Sequence, residues 1–363
     1  MTQEMCMMNK SRLDRVIKNM EKMSLGCILV SAPHSVYYLT GRFIAPGERM
    51  LALMIKSDGE VCLFANRLFA QTAEPDLPLV EFDDTDDPIA LLAAKLPAGR
   101  VGVDKLWPSH FTIRLMEARR DITPVIGSAP VDDARLLKDA EEIALMRQSS
   151  RMNDEALRRL IPTLKIGDTE LSVCARYTDI ARELGASGPS FSPLVCFGAG
   201  CAEPHHDSDN TVLTADQTVI LDLGLYHKRM ASDMTRTVVM GKATDEMKRV
   251  YDLVKKANEA GRAAARPGIP MSEIDRAARK VIEDGGYGKY FIHRTGHGIG
   301  LEVHEPTDVS SANNIIAQPG MCFSVEPGIY LPGKFGVRIE DLVALHEDGA
   351  ETLNALEHEL IEL

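Results

Sequence analysis

Two stretches of this sequence can fold as hairpins only if something positive lies beside them, and that condition narrows the fold more than any other feature. The first stretch runs from Asp222 to Asp233, between the apolar runs 218–223 and 235–240. If the chain turns at His227-Lys228, the two aspartates face one another on the same side of the sheet. The second is Glu326-Pro-Gly-Ile-Tyr-Leu-Pro-Gly-Lys-Phe-Gly-Val-Arg-Ile-Glu340. Here a turn centred on Gly333, with Pro332 before it, sets Glu326 opposite Glu340. Like charges across a ladder destabilise it, and a divalent cation between them reverses the sign. The first turn has a weakness, because His-Lys lacks the Gly or Asn that a two-residue hairpin prefers.

A fifth ligand is His297 in His293-Arg-Thr-Gly-His297-Gly-Ile-Gly300, where flanking glycines let the backbone turn tightly around the imidazole. Asp222, Asp233, His297, Glu326 and Glu340 make an oxygen-rich set with one nitrogen and no thiolate. Such a set suits two divalent ions, Mn²⁺ or Co²⁺ foremost and Zn²⁺ or Fe²⁺ as alternatives, sharing bridging carboxylates. Strand alternation points Arg338 to the same face as Glu340, and Thr235 to the same face as Asp233. The planar fork of Arg338 matches a substrate carboxylate. His206, His227 and His293 read as surface or structural. Taken singly, a strand aspartate or a Glu-Pro-Gly is more often ordinary solvated surface; two hairpins and a glycine-framed histidine together favour a site.

The surrounding pattern alternates helix and strand. Leu13, Val16, Ile17, Met20 and Met23 recur at helical spacing, residues 27–31 and 101–103 read as strands, and 50–55 with 61–65 form a hairpin around Ser57-Asp58-Gly59. The pattern breaks at 127–130, after which Asp132-Asp133 are placed to cap a long charged helix running through Ile143 and Met146 towards Leu160. Further helices carry Leu171, Cys174, Ala181 and Leu184, then Met247, Val250, Tyr251 and Val254, then a segment capped by Ser272 and ending at Gly285-Gly286. Strands are expected at 194–197, 321–325 and 336–345. This order predicts two domains, 1–130 and 131–363, the second of α+β class with an antiparallel sheet flanked by helices.

A net charge of -12 disfavours nucleic acid and anionic membrane surfaces as partners. Seven scattered cysteines without a CxxC pair fit a reducing compartment, and neither a signal-peptide run nor a spanning apolar stretch is visible, so a cytoplasmic protein is expected.

At the residues that carry the chemistry, the sequence resembles the creatinase/prolidase-type metallopeptidases, the pita-bread family. The matching segments are Leu221-Asp222-Leu-Gly, Ser232-Asp233-Met-Thr-Arg-Thr237, Gly296-His297-Gly-Ile-Gly-Leu-Glu-Val-His304-Glu-Pro306, Ser324-Val-Glu326-Pro-Gly-Ile-Tyr330 and Gly336-Val-Arg-Ile-Glu340-Asp341. Pro46-Gly47-Glu48-Arg49 and Leu136-Leu-Lys-Asp-Ala-Glu-Glu-Ile143 extend the likeness to the first domain and look like the X-Pro dipeptidases. The resemblance implies a pita-bread catalytic domain behind a smaller α/β creatinase-type domain, a homodimer, and a short proline-containing peptide as substrate. It also implies that His205 and His304 contact that substrate. The expected reaction is hydrolysis of X-Pro dipeptides by a metal-bridging hydroxide, with Glu326 as proton carrier, His205 and His304 stabilising the tetrahedral intermediate, and Arg338 holding the substrate carboxylate. Alternatives are an X-Pro aminopeptidase of longer peptides, an inactive binding module of the same fold, and a hydrolase of non-peptide substrates. His206, Glu203 and Thr307 depart from the family pattern and bear on substrate preference.

Overall fold

The computed structural model describes residues 8–363, and the chain divides into two compact units, the first ending at Arg135 and the second spanning Leu136–Leu363. Cys6 and the first seven residues lie outside the described part. The division falls a few residues beyond the expected boundary at 130 because Ala129–Leu136 is a helix that packs on the first unit. Pro130, Val131 and Ala134 are buried, Ala134 accepts the Tyr38 hydroxyl at 2.9 Å, and Pro130 accepts the Asn19 amide at 3.1 Å. Asp132 and Asp133 therefore sit inside a helix rather than capping the long one. That helix, Ala140–Leu160, is capped by Asp139, which exchanges hydrogen bonds with Glu142 in a capping box.

The first unit is a six-stranded mixed sheet in the order Leu79–Phe82, Val61–Asn66, Ala52–Lys56, Cys27–Val30, Gly99–Val103, Ile122–Ile126. The hairpin predicted around Asp58 supplies its second and third strands, with Ile55 paired to Val61. A buried layer that includes Leu29, Met54, Phe64, Trp107 and Leu115 covers one face.

In the second unit the two anticipated hairpins form, and helices fasten them from behind. Gln217–Leu223 pairs antiparallel with Met234–Met240, and Leu194–Phe197 extends that sheet. Cys322–Val325 pairs with Asp341–His346 in a five-stranded sheet, and Gly328–Leu331 pairs with Phe335–Arg338. Asn153, from Ala140–Leu160, donates to the Leu223 carbonyl at 2.7 Å. Asn258, from Asp245–Ala264, donates to the Val325 carbonyl at 2.8 Å. Each hairpin is thus tied at the root of its acidic pair by one buried amide, whose loss would strand a buried carbonyl. The helix Met271–Asp284 begins after Pro270, so Ser272 lies within its first turn rather than at the cap.

Register decides where the acids meet. The second hairpin has the expected register, with Gly328 opposite Arg338 and Val325 opposite Asp341, so Glu326 and Glu340 lie level between the two ladders. The expected single strand 336–345 breaks there, because each glutamate turns its N–H away from the other. Glu326 N–H donates to Thr295 O at 2.8 Å and Glu340 N–H to Thr235 O at 3.1 Å.

The first hairpin differs from expectation. It turns at Lys228-Arg229, both in the left-handed region with φ of 46° and 70°, and His227 pairs with Met230. Thr235, not Asp233, stands opposite Asp222. Two positive φ values are what a tight hairpin turn needs, and here residues without the usual glycine or asparagine supply them. The partner is displaced by two positions, an even number, so Asp222 and Asp233 keep the same face but sit diagonally.

Candidate active site

All five predicted ligands line one cleft of about 330 Å³, together with His205, His304, Arg338 and the apolar side chains of Phe191, Leu194 and Val303. His297 reaches it from the short strand Gly296–Gly298, whose glycines are required by close packing: a Cβ on Gly296 would collide with the Ser324 carbonyl, and one on Gly298 with the Pro306 carbonyl. The imidazole Nε2 lies 3.4 Å from Glu326 Oε1 and 3.6 Å from Asp233 Oδ2. Asp233, His297 and Glu340 each offer a ligand atom within 4.8 Å of the others.

Thr235 joins the two hairpins at this point. Its hydroxyl lies 3.0 Å from Asp222 Oδ1 and 2.8 Å from Glu340 Oε2, so one proton serves two carboxylates, and it accepts Arg338 Nε at 3.1 Å. Arg338 is 4 % exposed, with Nη2 on Asp222 Oδ2 at 2.7 Å and Nη1 on the Tyr330 hydroxyl at 3.0 Å. Arg338 lies on the expected face, and its partners within the chain are Asp222, Thr235 and Tyr330. A guanidinium bound this way would leave Asp222 uncompensated if it turned to a substrate carboxylate.

The one buried arginine of the cleft, Arg338, does not balance four carboxylates. Burial, followed by repulsion from Asp222 and Glu326, drives Asp233 well above the usual carboxylate range. Burial and then Asp233 do the same to Glu340. Burial lifts Glu326 to about 7 against the pull of Arg338. His297 goes the other way, to about 3, because burial and the neighbouring His304 both disfavour the cation. The imidazole is therefore neutral, with a lone pair available to a metal. Among the described residues, Asp233 Oδ1 and Glu340 Oε1 are buried and have no hydrogen-bond partner. Orphaned carboxylate oxygens beside a neutral imidazole are what a cation-binding pocket presents without its ion, and the donor set fits divalent cations.

Behind the site, the neighbours of two of these residues form a buried ion pair. Arg236 donates to Asp341 Oδ1 at 2.7 Å and to the carbonyls of Glu340 and Leu356 at 2.7 Å, while His358 Nε2 lies 2.7 Å from Asp341 Oδ2. Although burial alone would raise it, Asp341 is held far below the usual range by Arg236 and His358. Asp341→Asn is expected to destabilise the chain by about 3–5 kcal/mol, read by chemical denaturation, because it leaves Arg236 buried with half its pairing.

Three residues outside the expected set belong here. His293 lines the cleft; its Nδ1 donates to Arg294 O at 2.7 Å, so Nε2 is the acceptor and takes the Tyr330 hydroxyl proton at 2.8 Å. Tyr330 in turn accepts Arg338, forming a chain from His293 to Asp222. Period-two spacing from Gly328, which faces Arg338, puts Tyr330 on that face and could have identified it. Arg294 is the third. His206, by contrast, belongs to a structural knot: it meets Glu170 at 2.8 Å, and Glu170 also accepts the N–H groups of Phe197 and Asp209, both at 2.9 Å.

The creatinase/prolidase N-terminal domain matches residues 12–137, and metallopeptidase family M24 matches residues 144–347. An uncharacterized peptidase of Staphylococcus aureus is 32 % identical over 96 % of this chain and 99 % of its own length. The solved prolidase of Thermococcus sibiricus superposes with a TM-score of 0.93 at 34 % identity, covering 98 % of this chain and 99 % of that one. A dipeptidase of Pyrococcus horikoshii does so at 0.92 and 33 %, covering 97 % and 100 %. With both domains matched in order and the five acidic and imidazole groups gathered in one cleft, the chain belongs to metallopeptidase family M24.

Proposed function

We propose that this chain hydrolyses X-Pro dipeptides, with Asp222, Asp233, His297, Glu326 and Glu340 holding two divalent cations. The observation that carries the reading is the buried, self-repelling cluster of carboxylates with two unpartnered oxygens, open to one cleft beside a neutral imidazole. Bound divalent cations at such a centre supply Lewis acidity and make water nucleophilic at neutral pH.

The chain's own groups divide the remaining work. Glu326, partly exposed to the cleft and steadied by the Ser324 hydroxyl at 3.1 Å, takes the proton of the attacking water and passes it to the leaving imino nitrogen. The His304 ring lies tilted beside that of His297, with centroids 4.2 Å apart, and burial biases it towards the neutral form. With His205, which lines the same cleft, it orients the peptide and donates to the oxygen that gains charge in the transition state. Thr235 and Arg338 hold Asp222 and Glu340 in place. Phe191, Leu194 and Val303 give an apolar wall suited to a proline ring, and the printed names of the solved relatives, prolidase and dipeptidase, support the same substrate class.

The test is a substrate panel on metal-loaded protein. An X-Pro dipeptide is expected to exceed the matching X-Pro-Y-Z tetrapeptide in kcat/KM by at least tenfold, a difference of about 1.4 kcal/mol. Preference for the tetrapeptide would identify an aminopeptidase instead, and no cleavage at full metal content a binding module.

A further inference from the structure

A side chain that is to meet developing charge has to be in place before that charge appears. His205 is exposed and lies outside any helix or strand, on a turn in which the His206 N–H donates to the Glu203 carbonyl at 3.2 Å. Pro204 occupies the second position of that turn, where proline is favoured. The turn alone does not anchor His205 to the rest of the unit; the side chain of the next residue does.

While His205 lines the cleft, the ring of His206 turns to Glu170, with Nε2 2.8 Å from Oε2. The ring also packs against Gly200, where a Cβ would come within 3.4 Å of Cε1. Glu170 opens the helix Glu170–Glu183 and is wholly buried. Its carboxylate accepts the N–H groups of Phe197 and Asp209 as well, both at 2.9 Å. Phe197 ends the strand Leu194–Phe197, whose Leu194 lines the cleft, and the Asp209 carbonyl accepts the Leu171 N–H at 3.1 Å. One buried carboxylate thus gathers the cleft strand, the turn beside His205 and the far end of the loop that carries it. His304 is held in a parallel way, since the next residue, Glu305, meets Lys138 Nζ at 2.9 Å with both side chains buried. The tie of His206 is the one that can be cut cleanly, because Glu170 keeps two N–H donors, whereas cutting the other leaves a buried charge without its counter-ion.

We infer that His206 is a positioning residue, which through its bond to Glu170 fixes the direction of His205 into the cleft; the inference rests on the part in hydrolysis given to His205 above. The bond removes freedom from the turn in advance, so less ordering remains when the transition state forms.

The experiment is a double-mutant cycle on metal-loaded protein. Rates on an X-Pro dipeptide are measured for wild type, His205→Ala, His206→Leu and the double variant, with His206→Gln beside them, and bound metal and melting temperature are recorded for each. H206L is expected to lose roughly tenfold in kcat with KM little changed. H206Q, which keeps an N–H near the place of Nε2, recovers most of that loss. In the H205A background the same leucine substitution costs less than about twofold, because the side chain it would misplace is gone. His206→Ala carries the same expectation and replaces H206L if that chain fails to fold. Equal factors in the two backgrounds overturn the assignment of His206 alone, and so does an H206L turnover equal to that of wild type. An H205A enzyme as active as wild type overturns the part given to His205 in hydrolysis, and this inference with it.

Discussion

Glu326→Gln is expected to reduce turnover by roughly 10²–10⁴-fold while the chain stays folded, because the amide keeps the size of the side chain but cannot accept a proton. The surrounding contacts explain why the change is confined to chemistry. The backbone of Glu326 is fixed by Thr295 O at 2.8 Å, and Ser324 donates to Oε1, a bond an amide oxygen also accepts. The amide is a weaker ligand than the carboxylate, so the measurement is made at saturating metal with bound ion counted by elemental analysis. Turnover that survives at full occupancy would remove Glu326 from the proton path.

Stripping the metal with a chelator is expected to produce the second large effect, and its sign depends on pH. Asp233 and Glu340 are raised well above their ordinary values and Glu326 to about 7, in each case first by burial. A carboxyl whose folded pKa is raised stabilises the fold at low pH, where it is protonated, and loses that contribution as pH climbs through the folded value. The metal-free protein therefore weakens from about pH 5 to about pH 8 as like charges appear in a closed space. Added divalent ions bind the same deprotonated oxygens, so the difference in melting temperature between loaded and stripped protein widens over that interval. At metal a hundredfold above its dissociation constant it reaches about 5–10 °C. A constant difference across that range would mean that these carboxylates do not form the binding site.

How much of this was legible in the sequence depends on whether the informative interactions were local. Pro332-Gly333 announced its own turn, and the register that sets Glu326 level with Glu340 followed from it. Lys228-Arg229 announced nothing, since the positive φ there is imposed by the strands on either side rather than chosen by the turn residues. The same-face placement of Asp222 and Asp233 survived only because side-chain direction repeats every two residues. Arg338 shows a different limit. Alternation gives the face of a side chain but not its partner, and the partner came from the other hairpin, Asp222. His206 and Glu170 illustrate the same limit, because a buried glutamate on a helix gives no local sign of the loop it will hold. The helix caps at Asp139 and Pro270 were missed for a simpler reason: plausible capping residues lay nearby at Asp132-Asp133 and Ser272, and packing chose between them.

The five groups of the centre come from three separated parts of the chain: one hairpin gives Asp222 and Asp233, the glycine-framed strand His297, and the other hairpin Glu326 and Glu340. No local segment contains the set, and even the two acids of one ribbon repel until the rest arrive. The centre is therefore incomplete until all three parts are in place. With the proposed ligand set, competence for hydrolysis requires three distant parts of the Leu136–Leu363 unit to be folded together.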